Sequence, residues 1–354
     1  MRLLIVDDSA LMRTLLTECF ATDPDIEVKT ARDGEDALTK FAQLRPDVVT
    51  LDINMPRMDG LTCLAHMMEI ERVPVIMVSS LTTRGALASF EALELGATDF
   101  VAKPGGTVSH NIREVFAELR AKVRSAGRKR RPARRQAPPE PKERRAPARS
   151  AAQTEARPEL VLIGVSTGGP AILGDILGAL PASFPVPILI AQHMPPRFTG
   201  VFADRLNSTC ALQVSELTKP CPLLPGQVHV ISGGGDAEVT MRFRRLAATP
   251  VAIDDSYSWH PSVSRMVASA LETLPATKLI GVQLTGMGDD GAREFARLHA
   301  EGGLTIAESE DSAAVFGMPM KLIEYGGATE ILPSGQIAEQ LIAWTSRVRV
   351  KRTA

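Results

Sequence analysis

Short apolar runs recur along this chain, separated by stretches of helical periodicity, and most of them end in a polar or reactive residue. In the first 120 residues the runs fall at 3–6, 28–31, 46–52, 73–79 and 99–102. Helical patterns occupy 11–20, 36–44, 87–95 and 112–122. A second set of runs falls at 160–165, 187–192, 227–231, 278–284 and 305–308, with helical patterns at 171–180, 201–206, 263–274, 291–299 and 335–345. Strands of four to seven apolar residues alternating with helices predict parallel sheets covered on both faces. The expected fold is therefore α/β, as two doubly wound parallel-sheet domains, flavodoxin-like at 1–120 and Rossmann-like at 158–346. Such sheets gather the residues at the carboxyl ends of their strands into one crevice.

Between the two sets lies a segment that cannot build a core. From residue 120 to 149 there are 13 Lys or Arg and two acidic residues, among many Pro and Ala. That composition predicts a flexible basic linker over 121–157. It also leaves an acidic excess on the remainder, so the linker is expected to lie against acidic domain surfaces, the stretch 128–135 above all, or against an acidic partner. No aromatic residue accompanies its charges, which argues against nucleic acid as partner. No run is long enough to span a bilayer. The chain enters a strand at once, with no leader pattern, so a cytoplasmic protein is expected. Cys19, Cys63, Cys210 and Cys221 are scattered and form no metal-ligand spacing.

In the first domain, Asp7 and Asp8 end one strand, Asp52 another and Ser79 a third, and Lys103 follows a fourth. Converging carboxylates repel unless a cation neutralises them, and hard oxygen donors suit Mg²⁺. Asp52 is central enough to receive a phosphoryl group. Lys103 would then pair with its oxygens, and Ser79 would donate to them.

In the second domain, the run Val161-Leu162-Ile163-Gly164-Val165 breaks at Ser166-Thr167-Gly168-Gly169-Pro170. A tight strand-to-helix turn exposes a serine hydroxyl beside free helix N–H groups. The same glycines suit a phosphate or dinucleotide loop. A serine in place of a glycine tilts the turn towards catalysis. The strand-end acid that a dinucleotide site would need about 20 residues on is missing. His193 leaves the sheet after the run at 187–192, and Asp289 and Asp290 follow the run at 278–284. Ser166, His193 and one of the two aspartates can meet as nucleophile, base and orienting carboxylate. Gly164-Val165-Ser166-Thr167-Gly168 matches the G-x-S-x-G string of α/β-hydrolases. The chain order Ser, His, Asp does not match that fold, and argues for a convergent hydrolase.

Asp7-Asp8-Ser9-Ala10, Asp52-Ile53-Asn54-Met55-Pro56 and Val101-Ala102-Lys103-Pro104 resemble a response-regulator receiver domain. The resemblance implies phosphorylation of Asp52 by a histidine kinase of the CheA type. It implies Mg²⁺ held by Asp7, Asp8, Asp52 and the backbone at Asn54, with Ser79 and Phe100 at the switch positions. Gly164-Val165-Ser166-Thr167-Gly168-Gly169-Pro170, Gln192-His193-Met194-Pro195, Thr285-Gly286-Met287-Gly288-Asp289-Asp290-Gly291 and Val315-Phe316-Gly317-Met318-Pro319 resemble the chemotaxis protein-glutamate methylesterase family, CheB. That resemblance implies Ser166, His193 and Asp290 as the triad. Asp289 is left to cap the helix that follows. Thr167 lies beside the nucleophile, and Met287 is an oxyanion donor. The implied substrate is a methyl-accepting chemoreceptor, the esterase half needs no metal, glutamine deamidation is a companion activity, and a monomer is expected. The alternative is a receiver-regulated serine hydrolase acting on a receptor-like protein outside chemotaxis. Two segments depart from the family pattern. Ser232-Gly233-Gly234-Gly235-Asp236 replaces an Ala-Pro-Gly-Gly segment, and His260-Pro261-Ser262-Val263-Ser264 replaces Arg-Pro-Ser-Val-Asp. Both lie outside the triad and bear on receptor fit.

Overall fold

The computed structural model describes residues 1–80, 82–103, 112–128 and 157–346. In the first domain, strands and helices alternate as β1 (Arg2–Val6), α1 (Ala10–Phe20), β2 (Glu27–Ala31), α2 (Gly34–Leu44), β3 (Val48–Asp52), α3 (Gly60–Ile70), β4 (Val75–Ser79), α4 (Thr83–Glu94), β5 (Asp99–Ala102) and α5 (Ile112–Arg128). The five strands form one sheet in the order β2-β1-β3-β4-β5, and every pairing is parallel. β3 and β4 are buried along their whole length. This is why they read as continuous apolar runs, since both faces are covered by helices.

Two expectations change here. The helix α3, with the sequence GLTCLAHMMEI, has no place in the sequence reading. Its polar face is only a narrow exposed stripe of Thr62, His66 and Glu69 among small and apolar residues, so its helical period is faint in the sequence. The linker was expected to begin at 121, yet α5 continues to Arg128. Three of its basic residues are ion-paired. Arg120 and Arg124 bind Asp23, and Lys122 binds Asp99 and Glu118. The remainder of the expected linker, including most of 128–135, lies outside the described residues.

The second domain runs β6 (Leu160–Val165), α6 (Gly169–Gly178), β7 (Ile188–Gln192), α7 (Pro196–Thr209), β8 (Gln213–Leu217), β9 (Cys221–Pro222), β10 (Gln227–Ile231), β11 (Asp236–Arg242), β12 (Arg245–Val251), α8 (Val263–Thr273), β13 (Leu279–Gln283), α9 (Ala292–Ala300), β14 (Leu304–Glu308), α10 (Met318–Glu324), β15 (Glu330–Leu332) and α11 (Ser334–Thr345). A seven-stranded parallel sheet has the order β15-β14-β13-β6-β7-β10-β8. β13, β6 and β7 are therefore adjacent at its middle, and they carry the three reactive strand ends. The sequence reading left out a small antiparallel sheet, β11-β12-β9. Its hairpin turns at Phe243 and Arg244, both at positive φ, with none of the Asn or Gly that marks a two-residue hairpin turn.

The two domains touch through aromatic rings. Phe100 of β5 stacks on Phe198 of α7 with centroids 4.7 Å apart, and Phe90 of α4 stacks on Phe202 at 5.5 Å. Glu94 and Arg205 form an ion pair beside them. No described helix is long and apolar enough to cross a membrane.

Candidate active site and phosphorylation site

Ser166 sits at the end of β6 and is 8% exposed. Its N–H donates to the Thr285 carbonyl at 2.9 Å, and its own carbonyl accepts from the Gly169 N–H and from Gln192 Nε2. The turn is thus held from three sides, leaving the hydroxyl as its free polar group for chemistry. Gly286 lets the β13 loop pass close by, because a Cβ there would lie 2.8 Å from the Ser166 Cβ. Thr167 is buried, and its carbonyl accepts from Thr285 Oγ1 at 2.8 Å.

His193 follows β7, and its N–H donates to the Val165 carbonyl, which ties it to the strand that carries Ser166. Its Nε2 lies 2.9 Å from Asp290 Oδ2. Its Nδ1 is buried without a hydrogen-bond partner.

Asp290 is 6% exposed. Oδ2 accepts from the Val263 N–H at 2.7 Å, and Oδ1 accepts from the Ser264 N–H at 2.9 Å and from Ser262 Oγ. The carboxylate therefore rests on the N-terminus of α8, where exposed N–H groups and the helix dipole favour negative charge. Burial works against the ionised form. The bonds from His193, Ser264 and Val263 outweigh it and hold the Asp290 carboxyl below the usual carboxylate range. Asp289 is exposed. It was expected to cap α9 with its side chain, but the N-cap is Gly291, with no side-chain bond. The Asp289 carbonyl accepts the Ala292 N–H instead.

Ser166, Thr167, His193 and Met287 line one crevice of about 580 Å³, together with Trp259 and His260. Ala117, Glu118 and Lys122 of α5 line it from the side of the first domain. Gln192, the α8 N-terminus that cradles Asp290, and Trp259 are the participants the sequence reading missed. Gln192 stood inside a quoted motif. Ser262, Val263 and Ser264 stood inside the second departing segment, which was expected to bear on receptor fit and instead holds Asp290; Trp259 carries no local signal.

At the first domain's strand ends, carboxylate oxygens of Asp7, Asp8 and Asp52 lie within 4.8 Å of one another. Lys103 Nζ is 2.8 Å from Asp52 Oδ2 and 3.0 Å from Asp7 Oδ2. Burial pushes the Asp52 carboxyl up from its ordinary value, against the pull of Lys103. Burial likewise opposes the Lys103 ammonium, but the two carboxylates win and raise its pKa. Ser79 is buried and donates to the Gly85 carbonyl at 2.9 Å. The Asn54 N–H donates to Asp52 Oδ1 at 3.3 Å. Three close carboxylates with one lysine leave net negative charge in a site of oxygen donors, which fits Mg²⁺.

Residues 161–341 match the family model described as CheB methylesterase, and residues 3–111 match that of the response regulator receiver domain. This chain belongs to the CheB methylesterase family. It is 47% identical to a protein of Rhodospirillum rubrum named protein-glutamate methylesterase/protein-glutamine glutaminase 3, across 98% of this chain and 97% of that one. A Vibrio cholerae protein of the same name is 46% identical, across 92% and 91%. Among solved structures, the CheB methylesterase catalytic domain of Thermotoga maritima covers 52% of this chain and 98% of its own. Its TM-score is 0.51 at 38% identity. The CheB match runs from β6 to α11 and so contains Ser166, Thr167, His193, Met287 and Asp290.

Proposed function

We propose that the chain hydrolyses glutamate methyl esters on a methyl-accepting chemoreceptor in the cytoplasm, under control of phosphorylation at Asp52. The observation that carries the reading is the His193–Asp290 pair. It leaves Nδ1 unpartnered in the crevice that Ser166 lines. Ser166 Oγ attacks the ester carbonyl while Nδ1 takes its proton. Asp290 holds the imidazole tautomer and balances the imidazolium. N–H groups at Thr167 and Met287 receive the oxyanion. Collapse expels methoxide, which takes the proton from His193 and leaves as methanol. Water, deprotonated by the same nitrogen, then frees the glutamate and restores Ser166. A glutamine amide would follow the same steps with ammonia as leaving group. Methanol release from a methyl-esterified receptor tests the reading, and an undiminished rate in Ser166→Ala would overturn it.

Asp7, Asp8 and Asp52 would hold Mg²⁺, with help from the backbone at Asn54. When bound, Mg²⁺ would neutralise the charge of a phosphoryl group donated by a kinase of the CheA type. Lys103 and Ser79 are the protein's own partners for the phosphoryl oxygens. Excess chelator is expected to cut phosphorylation of Asp52 by more than about tenfold, since the crowded carboxylates then face the incoming phosphate unscreened. Labelling at Asp52 that persists at full extent would contradict this. The domain boundaries of this reading are 1–128 and 158–346.

Helix α5 lines the crevice that holds Ser166, and Phe100, at the switch position, is itself stacked on Phe198. In this reading the receiver covers the site until phosphorylation moves Phe100. The Arg205–Glu94 ion pair crosses the same contact. An exposed pair contributes at most about 1 kcal/mol, so opposing it with Arg205→Glu is expected to raise basal turnover about two- to fivefold. The same change should leave phosphorylated protein unaffected. A rise of equal size in both states would sink the covering role.

A further inference from the structure

The two segments that depart from the family pattern meet in space. Asp236 closes one and is 1% exposed. His260 opens the other, and its Nδ1 lies 3.0 Å from Asp236 Oδ2. The Ser262 N–H donates to Asp236 Oδ1 at 2.7 Å, and Arg265 Nη1 reaches Oδ2 at 3.3 Å. One buried carboxylate thus pins the loop on the far side of His260. The residue immediately before His260 is Trp259, and its indole lies flat on the imidazole of His193. The ring centroids are 5.1 Å apart and the planes differ by 4°. Gly288 flanks the indole at φ 91°, and a Cβ there would sit 3.1 Å from Cζ2 of Trp259. A side chain at 288 would be strained and would crowd the indole.

The imidazole needs such a neighbour. Asp290 meets it through Nε2 alone, and a single hydrogen bond fixes a point rather than a plane. The ring can still roll slightly, through coupled turns of its two side-chain torsions, while Nε2 stays near Oδ2. Each roll swings Nδ1, the unpartnered nitrogen, away from the crevice. A flat aromatic face parallel to the ring removes that freedom without competing for either nitrogen. It also presents its π cloud to the imidazolium that forms when His193 takes a proton.

We propose that Trp259 is a positioning residue for His193, holding the plane in which Nδ1 faces Ser166, and that the Asp236–His260 contact exists in this chain to hold it there. The proposal rests on the reading of His193 as the base.

The full chain, assayed for methanol release from a methyl-esterified receptor, separates the possibilities. Trp259→Ala is expected to lower kcat about 100-fold, the scale of a misplacement near 1 Å, with KM within about twofold. Trp259→Phe keeps a flat face and should recover kcat to within about tenfold of the wild type. A loss confined to KM, an unchanged kcat in Trp259→Ala, or a Phe variant as impaired as Ala would each overturn it. The fluorescence of the native residue reports the contact with His193 directly. The chain has two Trp, so Trp344→Phe leaves Trp259 as the sole indole. A protonated imidazole in contact quenches indole emission. Acidification should therefore quench Trp259 in a step that His193→Gln removes. Asp290 on Nε2, His260 beside the indole, and Glu118 and Lys122 of α5 also line or face this region. The step must accordingly survive Glu118→Gln, whereas His260→Gln, which breaks the contact with Asp236, should weaken the step and lower kcat. Its persistence in His193→Gln would defeat the stacking role. Full turnover in His193→Gln would instead defeat the reading of the base, which keeps the two failures apart.

Discussion

Ser166→Ala is expected to lower methanol release from a methyl-esterified receptor by about 10⁵- to 10⁶-fold, the scale reached when a serine-protease triad loses its nucleophile. The change deletes one oxygen and little else. The turn is held by backbone bonds to Thr285 and Gly169 and by Gln192 on the Ser166 carbonyl, and none of these uses the hydroxyl. Melting temperature and receptor binding should therefore stay near wild type while turnover collapses. What remains over the uncatalysed rate would come from oxyanion donors and substrate binding, on the order of 10³-fold. The measurement is steady-state methanol release alongside a thermal melt. Activity within about tenfold of the wild type, in a protein that still melts normally, would remove Ser166 from the mechanism.

The crevice was legible because parallel strands place their carboxyl ends on one edge, so reactive residues ending separate runs had to share it. Ser166 and His193 stood out for that reason, as did Asp7, Asp52 and Ser79. The structure seats them on strands adjacent in the sheets, β6 beside β7 and β3 between β1 and β4. Choosing between Asp289 and Asp290 was beyond the pattern of residues. What separates them is the N-terminus of α8, which reaches Asp290 from residues 262–264, and strand-end logic says nothing of helices arriving from elsewhere. Trp259 was invisible for a similar reason. Its loop has no period, and its role depends on Asp236, 23 residues earlier in the sequence. Composition misled at one point. The basic run starting at Arg120 looked like solvated linker, but its first charges belong to α5 and answer Asp23 and Asp99. A charge count cannot tell a free cation from one whose partner lies about 100 residues away.

Phe100 stacks on a ring of the catalytic domain, while its carbonyl accepts from Lys122 of α5 at 2.8 Å. Lys122 also binds Asp99 and Glu118, and burial works against its charge before these carboxylates raise its pKa. Phe100 is thus tied both to the interdomain contact and to the helix lining the crevice. A displacement of β5 at its Phe100 end cannot leave either one undisturbed, because buried ion pairs and stacked rings have few intermediate arrangements.

Asp290→Asn should cost about 10⁴-fold in ester turnover, whereas Asp289→Asn should cost less than about twofold. The first figure is the loss seen in serine proteases when the triad aspartate becomes asparagine. Asn keeps one oxygen for the Ser264 N–H and Ser262 Oγ, but loses the acceptor shared by Nε2 and the Val263 N–H, so the cradle survives only in part. Its amide can present NH₂ to Nε2, however, and that favours the tautomer carrying the proton on Nδ1. The nitrogen needed as base is then already protonated. It also loses the charge that balances the imidazolium. Asp289 is exposed and makes no side-chain cap, so its amide should be silent. Stability follows the same carboxylate. The folded pKa of Asp290 lies below its ordinary value, so its contribution is full above the unfolded pKa and is lost as pH falls through the folded one. Asp290→Asn should thus lower the melting temperature at neutral pH, with the gap to wild type closing in acid. A collapse of turnover in Asp289→Asn, with Asp290→Asn near wild type, would mean that the base is oriented from the other aspartate and that the α8 cradle serves the fold alone.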